Sequence, residues 1–253
     1  MKSRRILPLL FVACLGGVVS CSCHFNFINN DNYHYDNADK YTKYEGPVSF
    51  IDTLSELSLT YIGGTVTITA GSEFKIEESG SEHPLFYYHD KTDPNSTKMT
   101  IQYVENGTKA SEYNNLNKDL TITVPHNQIK DFTINAVDCE LSIDFPAVER
   151  FNIDSVGSKG TIQIADVKKC KYNTVGSDLV TRILYTGLTE RIDVNTVGGS
   201  LVFQLSTYKR INLDVDVVGT VVTNNFTSDS LLSFDFDIEG VGGNVTIDRT
   251  LNE

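Results

Sequence analysis

From residue 57 onward the chain returns again and again to one seven-residue phrase. Apolar and polar positions alternate, an Asn or Asp most often stands fourth, and the phrase most often closes on valine and glycine. A representative copy is Phe151-Asn152-Ile153-Asp154-Ser155-Val156-Gly157. Others span residues 132–138, 170–176, 192–198, 213–219 and 236–242, with a forerunner at 57–63. The closing valines Val137, Val156, Val175, Val197, Val218 and Val241 are almost evenly spaced along the chain. After each glycine comes a second alternating run, such as Thr161-Ile162-Gln163-Ile164 or Val245-Thr246-Ile247. Period-two alternation predicts half-buried strands, and the glycine at most corners suits a turn that needs positive φ or close backbone approach.

A repeat of about 20 residues predicts stacking, because one such unit cannot bury its apolar row alone. The expected fold is all-β, a single-stranded β-solenoid of stacked coils with a period of about 20 residues, over residues 48–253. An immunoglobulin-like sandwich also has short alternating strands. It does not require the same phrase in every hairpin, so the solenoid is preferred. Abundant Val, Ile, Thr, Tyr and Phe, with no Trp, agrees with strands.

The first residues change the picture of where the domain works. Lys2, Arg4 and Arg5 precede an apolar run from Ile6 to Val19, too short for a comfortable membrane span and shaped like an export signal. It ends in Val18-Val19-Ser20-Cys21, which resembles a bacterial lipobox. Residues 1–20 are therefore expected to be a lipoprotein signal peptide and Cys21 the lipidated residue. Each buried acyl CH2 contributes roughly 0.8 kcal/mol, and stable anchoring needs more than one chain. The protein is expected to be exported and held on the cell membrane, facing outside the cytoplasm. Residues 21–47, rich in Asn, Asp, Tyr and Lys and without periodicity, read as a polar tether.

Charge narrows the partners. The whole chain has a formal net charge of −12. Without the three basic residues of the signal, 18 Lys and Arg face 33 Asp and Glu, a formal charge of −15. That argues against nucleic acid, which needs a basic patch. Cys23, Cys139 and Cys170 do not make a disulfide framework.

The tether end Asn37-Ala38-Asp39-Lys40-Tyr41, the segment 57–68, the run 118–125 and the Val-Gly copies together resemble the DUF4097 and DUF2807 group, β-repeat proteins of bacterial envelopes that carry an adhesin label. The resemblance covers residues 37–253 and implies a β-helix-like solenoid, an exported location and a structural or adhesin-like binding role. Family association also suggests an accessory or sensor in an envelope-stress response. Where this chain has Val-Gly-Gly, Val-Ser-Gly is the family's commoner turn.

No catalytic motif is present: the five histidines are scattered, and there is no nucleophile elbow, phosphate loop or dinucleotide fingerprint. A carbohydrate-active β-helix enzyme, working through paired carboxylates, is the less favoured alternative. The stacked arrangement does predict two columns of polar side chains, from the second and fourth phrase positions. In the C-terminal copies these are Asp193, Asp214, Asp216, Asp237 and Glu239, a candidate patch for Ca2+ or a cationic partner. The Asn and Asp of the fourth column also suit side-chain ladders along the stack. Beyond the membrane, the expected partner is a protein, peptide or polysaccharide. Cys170 falls at an inward apolar position and is expected to be buried.

Overall fold

The computed structural model describes residues 32–50, 54–80, 83–92, 97–113, 116, 118–125 and 129–250. The signal peptide and Cys21 lie outside them. The strands in chain order begin with β1 Thr42–Lys43, β2 Val48–Phe50, β3 Glu56–Ile62, β4 Thr65–Gly71, β5 Phe74–Ser79, β6 Phe86–Asp90 and β7 Lys98–Gln102. Next come β8 Asp119–Pro125, β9 Asp131–Val137, β10 Glu140–Phe145, β11 Val148–Val156, β12 Lys159–Ile164, β13 Val167–Val175 and β14 Asp178–Ile183. The last six are β15 Arg191–Val197, β16 Ser200–Leu205, β17 Arg210–Val218, β18 Val221–Asn224, β19 Ser233–Val241 and β20 Asn244–Arg249.

They form two open sheets of ten strands. One runs β1-β6-β7-β3-β9-β11-β13-β15-β19-β17, the other β18-β20-β16-β14-β12-β10-β4-β8-β5-β2. From β9 on, each phrase places one strand in the first sheet and its follower in the second. Pairing between copies is parallel and in phrase register: Phe151 stands opposite Phe132 and Cys170, and Cys170 opposite Ile192. Inward positions one and three are fully buried in most copies, as with Phe132, Ile134, Phe151, Ile153, Tyr172, Val194 and Phe236. An aromatic spine runs through this core. Phe132, Phe151, Tyr172, Phe203 and Phe236 succeed one another at ring separations of 5.1–6.0 Å, a range in which aromatic pairs attract beyond simple burial. The Tyr172 hydroxyl shares a 2.7 Å hydrogen bond with Thr181 Oγ1, so its polar end is satisfied.

Stacking in simple chain order, implied for the C-terminal copies, holds only from β9 to β15. The copy at 236 inserts between the copies at 192 and 213: β19 pairs with both β15 and β17, and β20 with both β16 and β18. The side chains explain the order. Phe234, Phe236, Ile238, Val245 and Ile247 are all buried, and they are bulkier than the row Ile211, Leu213, Val215 and Val217 that takes the outside place. Placing the aromatic copy inside removes more apolar surface from water.

A second correction concerns the tether. Its described part, from Asn32, belongs to the fold. β1 pairs antiparallel with β6, and Asn32 bridges to Lys109. Tyr33 and Tyr44 are buried. The Tyr33 hydroxyl donates to Gln102 Oε1 at 2.7 Å, and its ring meets Tyr35 at 5.8 Å and Tyr113 at 5.6 Å. Irregular spacing hid this: the tyrosines dock as separate anchors, each burying a ring while its hydroxyl stays bonded. With β5 and β6, which run antiparallel to their neighbours, they close this end of the stack.

Candidate functional site

The tight corner after each phrase fixes where the polar columns stand. At Val197-Gly198-Gly199, both glycines have positive φ, +69° and +75°. A Cβ at Gly199 would lie 2.2 Å from Ser177 O, whereas one at Gly198 would meet nothing within 4 Å. The second glycine is thus demanded by contact with the neighbouring copy, the first by backbone conformation alone. Corners so closely superposed keep the copies in register.

Register in turn assembles the five predicted carboxylates on one face of β15, β19 and β17. Asp193 stands opposite Asp237, which stands opposite Asp214. Asn195, Glu239 and Asp216 make the parallel column. The predicted residues are therefore together, in the order 193–237–214. The sequence reading missed Arg191. Its Nε donates to Asp193 Oδ1 at 2.6 Å, and its Nη2 pairs with Asp237 Oδ2. The signal was available, since a residue two before Asp193 on a strand shares its face. Burial raises the Asp237 carboxyl above the usual range; Arg191 opposes this, and the carboxylates Asp193, Asp214 and Asp235 add to it. The Arg191 guanidinium is held charged chiefly by its hydrogen bond to Asp193. Among the described residues, no three His, Cys, Asp or Glu side chains are grouped to hold a metal ion.

Further along the fourth column the side chains bond to one another. Asn195 Nδ2 donates to Asn173 Oδ1 at 2.9 Å, Asn173 Nδ2 to Asp154 Oδ1, and Asn135 Nδ2 to Thr60 Oγ1 at 3.2 Å. The second column contributes Asn152 Nδ2 to Thr133 Oγ1 at 3.4 Å. These ladders run along the stacking direction and stiffen the face that carries the carboxylates.

Two open clefts lie elsewhere. One, of about 800 Å³ at the closed end, is bordered by Lys43, Glu45, Glu77, Glu78 and Asp119. Glu77 pairs with Lys75 at 2.9 Å. Glu78 is committed to the interior: Oε1 faces Lys118 Nζ at 2.8 Å and accepts from Tyr61 Oη at 3.2 Å, and Oε2 accepts from Leu85 N at 2.8 Å. Lys118 is fully buried, donates also to His83 O and Tyr103 O, and lies 4.2 Å from the centre of the Tyr103 ring. Burial pushes its ammonium down to about 8, against the pull of Glu78. The other cleft, of about 590 Å³, is lined by Lys168, Leu188, Glu190, Lys209 and Asp235 among others. Lys209 Nζ is held there by Gly187 O and Thr189 O at 2.9 and 3.0 Å.

Cys139 and Cys170 are buried free thiols, and burial raises both. No helix among the described residues is long and apolar enough to cross a membrane.

Three solved structures resemble this one at low sequence identity. A candidate cell adhesion protein from Clostridium sporogenes is 12% identical, with 83% of this chain and 100% of that chain covered at a TM-score of 0.49. A candidate adhesin from Parabacteroides merdae is 8% identical, with 83% and 98% covered at 0.36. One from Bacteroides fragilis is 11% identical, with 82% and 99% covered at 0.27. No curated protein matches the chain. The family described as Toastrack DUF4097 matches residues 54–250, the span that holds all but the first two strands, and the chain belongs to that family.

Proposed function

We propose that the protein is an exported lipoprotein, anchored through Cys21, whose folded part is a rigid binding module of the cell envelope, structural or adhesin-like in action. The anchor is supported by Val18-Val19-Ser20-Cys21 after a short apolar run with a basic start. The module is read as a solenoid in which each phrase and its follower make one coil, about 20 residues long. The strand pairing supports this: Phe132, Phe151, Cys170 and Ile192 hold the same phrase position in successive copies and are successive ladder partners.

The observation that carries the binding role is the laddered face. Asn and Asp side chains bonded from strand to strand present an ordered polar surface, and its C-terminal part is acidic. Such a surface loses little side-chain entropy on meeting a ligand, because its rotamers are already fixed. The ligand class that fits is a cell-surface protein, peptide or polysaccharide.

The test is metabolic labelling with an alkyne fatty acid in a bacterial host, comparing wild type with Cys21→Ala. Label on the wild type, lost in the variant together with membrane retention, is the expected result. Equal labelling of both, or none on either, overturns the anchored reading.

A further inference from the structure

The two ends of the stack are finished differently. At one, antiparallel strands and docked tyrosines close the sheets. At the other, β17 and β18 are the outermost strands, and no described strand pairs with their outer sides. Arg210 N donates to Leu232 O and Val218 O accepts from Gly242 N, so residues of that parity on β17 face inward to β19. In a parallel ladder the alternate residues face the other way. Ile211, Leu213, Val215 and Val217 therefore direct their N–H and C=O groups to the open side.

Their side chains match. Ile211, Leu213, Val217 and Val222 pack on the core but stay partly exposed, while Val215 is 40% and Val221 60% exposed. Their counterparts one layer in, Phe236 and Ile238, are fully buried. A free edge with an apolar row is a template for another strand.

Charge says which strand. Asp214 and Asp216 stand on the outer strand, beside Asp237 and Glu239 of β19, while Arg191 sits on β15, two strands in, paired with Asp193 and Asp237. Like charges directly opposite are destabilising across strands, and opposite charges favourable. Two of these edges brought together would set acidic strands against each other. We propose that β17 accepts, as an added strand, an extended segment of another protein in which lysine or arginine alternates with apolar residues. Main-chain bonds to residues 211–217 supply the attachment, and cations opposite Asp214 and Asp216 supply selectivity. The inference rests on the binding-module reading, naming the partner class for one end of it, and does not depend on the lipid anchor.

The experiment uses the full chain in detergent and a fluorescent, end-blocked heptapeptide of alternating lysine and valine, read by anisotropy. Saturable binding is expected, with none for the glutamate–valine counterpart. Asp214→Lys with Asp216→Lys weakens it at least tenfold. Val215→Pro, which leaves every charge and every β19 bond in place, also weakens it at least tenfold. Hydrogen exchange gives a readout that does not need the proline variant: the amides of 211, 213, 215 and 217 slow on binding. Absence of saturable binding overturns the proposal, as does binding that Val215→Pro and the amides leave unchanged, which is charge attraction alone. Concentration-dependent dimers without peptide binding also overturn it, in favour of a second copy. Fatty-acid labelling at Cys21 is read separately, so failure of this edge and failure of the anchored reading are distinguishable.

Discussion

Replacing Lys118 with methionine removes the cation from a site built around it. The ammonium is fully buried, 2.8 Å from the Glu78 carboxylate and 2.8 Å from His83 O, with Tyr103 O and the Tyr103 ring on its other sides. Methionine keeps most of the volume, so little of the loss comes from a cavity. What remains is Glu78, 2% exposed, with Leu85 N and Tyr61 Oη still to bond but no opposing charge from Lys118. Breaking a buried pair in this way costs about 3–5 kcal/mol, or roughly 6–20 °C in Tm for a domain of this size. Urea unfolding followed by far-UV circular dichroism measures it. Adding Glu78→Gln to Lys118→Met is expected to restore part of the loss, because no unpaired charge is then buried. The same site gives a pH signature. The folded value, about 8, lies below the ordinary lysine value of 10.5. Between the two, the unfolded chain holds a proton that the folded chain has released, so wild-type stability rises with pH relative to Lys118→Met. A loss under about 1 kcal/mol in Lys118→Met, or a double variant worse than the single, refutes the reasoning.

At the 198–199 corner, Gly198→Ala is expected to cost about 1–2 kcal/mol for the positive φ alone. Gly199→Ala should cost roughly twice that or more, since its Cβ must also displace Ser177 O; equal thermal shifts would refute the close-contact account. Cys139 and Cys170 are expected to resist alkylation at neutral pH and to react fully in denaturant, since burial holds both as thiols. Mass spectrometry after brief native treatment checks this.

Much of this was legible because the phrase is a direct image of the stack. The alternation marked Phe132, Phe151 and Tyr172 as inward. The identity of the phrase between copies set the register that brings Asp193, Asp214 and Asp237 into one column. What stayed hidden depends on comparing copies with one another. Whether 213–219 or 236–242 lies outermost turns on which row buries more surface, a difference between valine and phenylalanine that no single copy contains. Arg191 was passed over because the phrase begins just after it. The tyrosines at 33 and 44 follow no period, so nothing local distinguishes a docked segment from a free one. Lys118 and Glu78 are distant in sequence and meet only through the closed end's antiparallel strands.

The inserted copy has a consequence for how the chain is made. A stack built in sequence order could fold strand by strand as the chain emerges on the far side of the membrane, each new layer templated by the last. Here residues 210–224 emerge before the layer that separates them from β15 exists, and their apolar row waits for residues 233–249 to arrive. Of the two, the layer synthesised later is therefore the interior one. A stop codon near residue 230 removes a middle layer rather than a tip, leaving β17 facing β15 across a missing aromatic row.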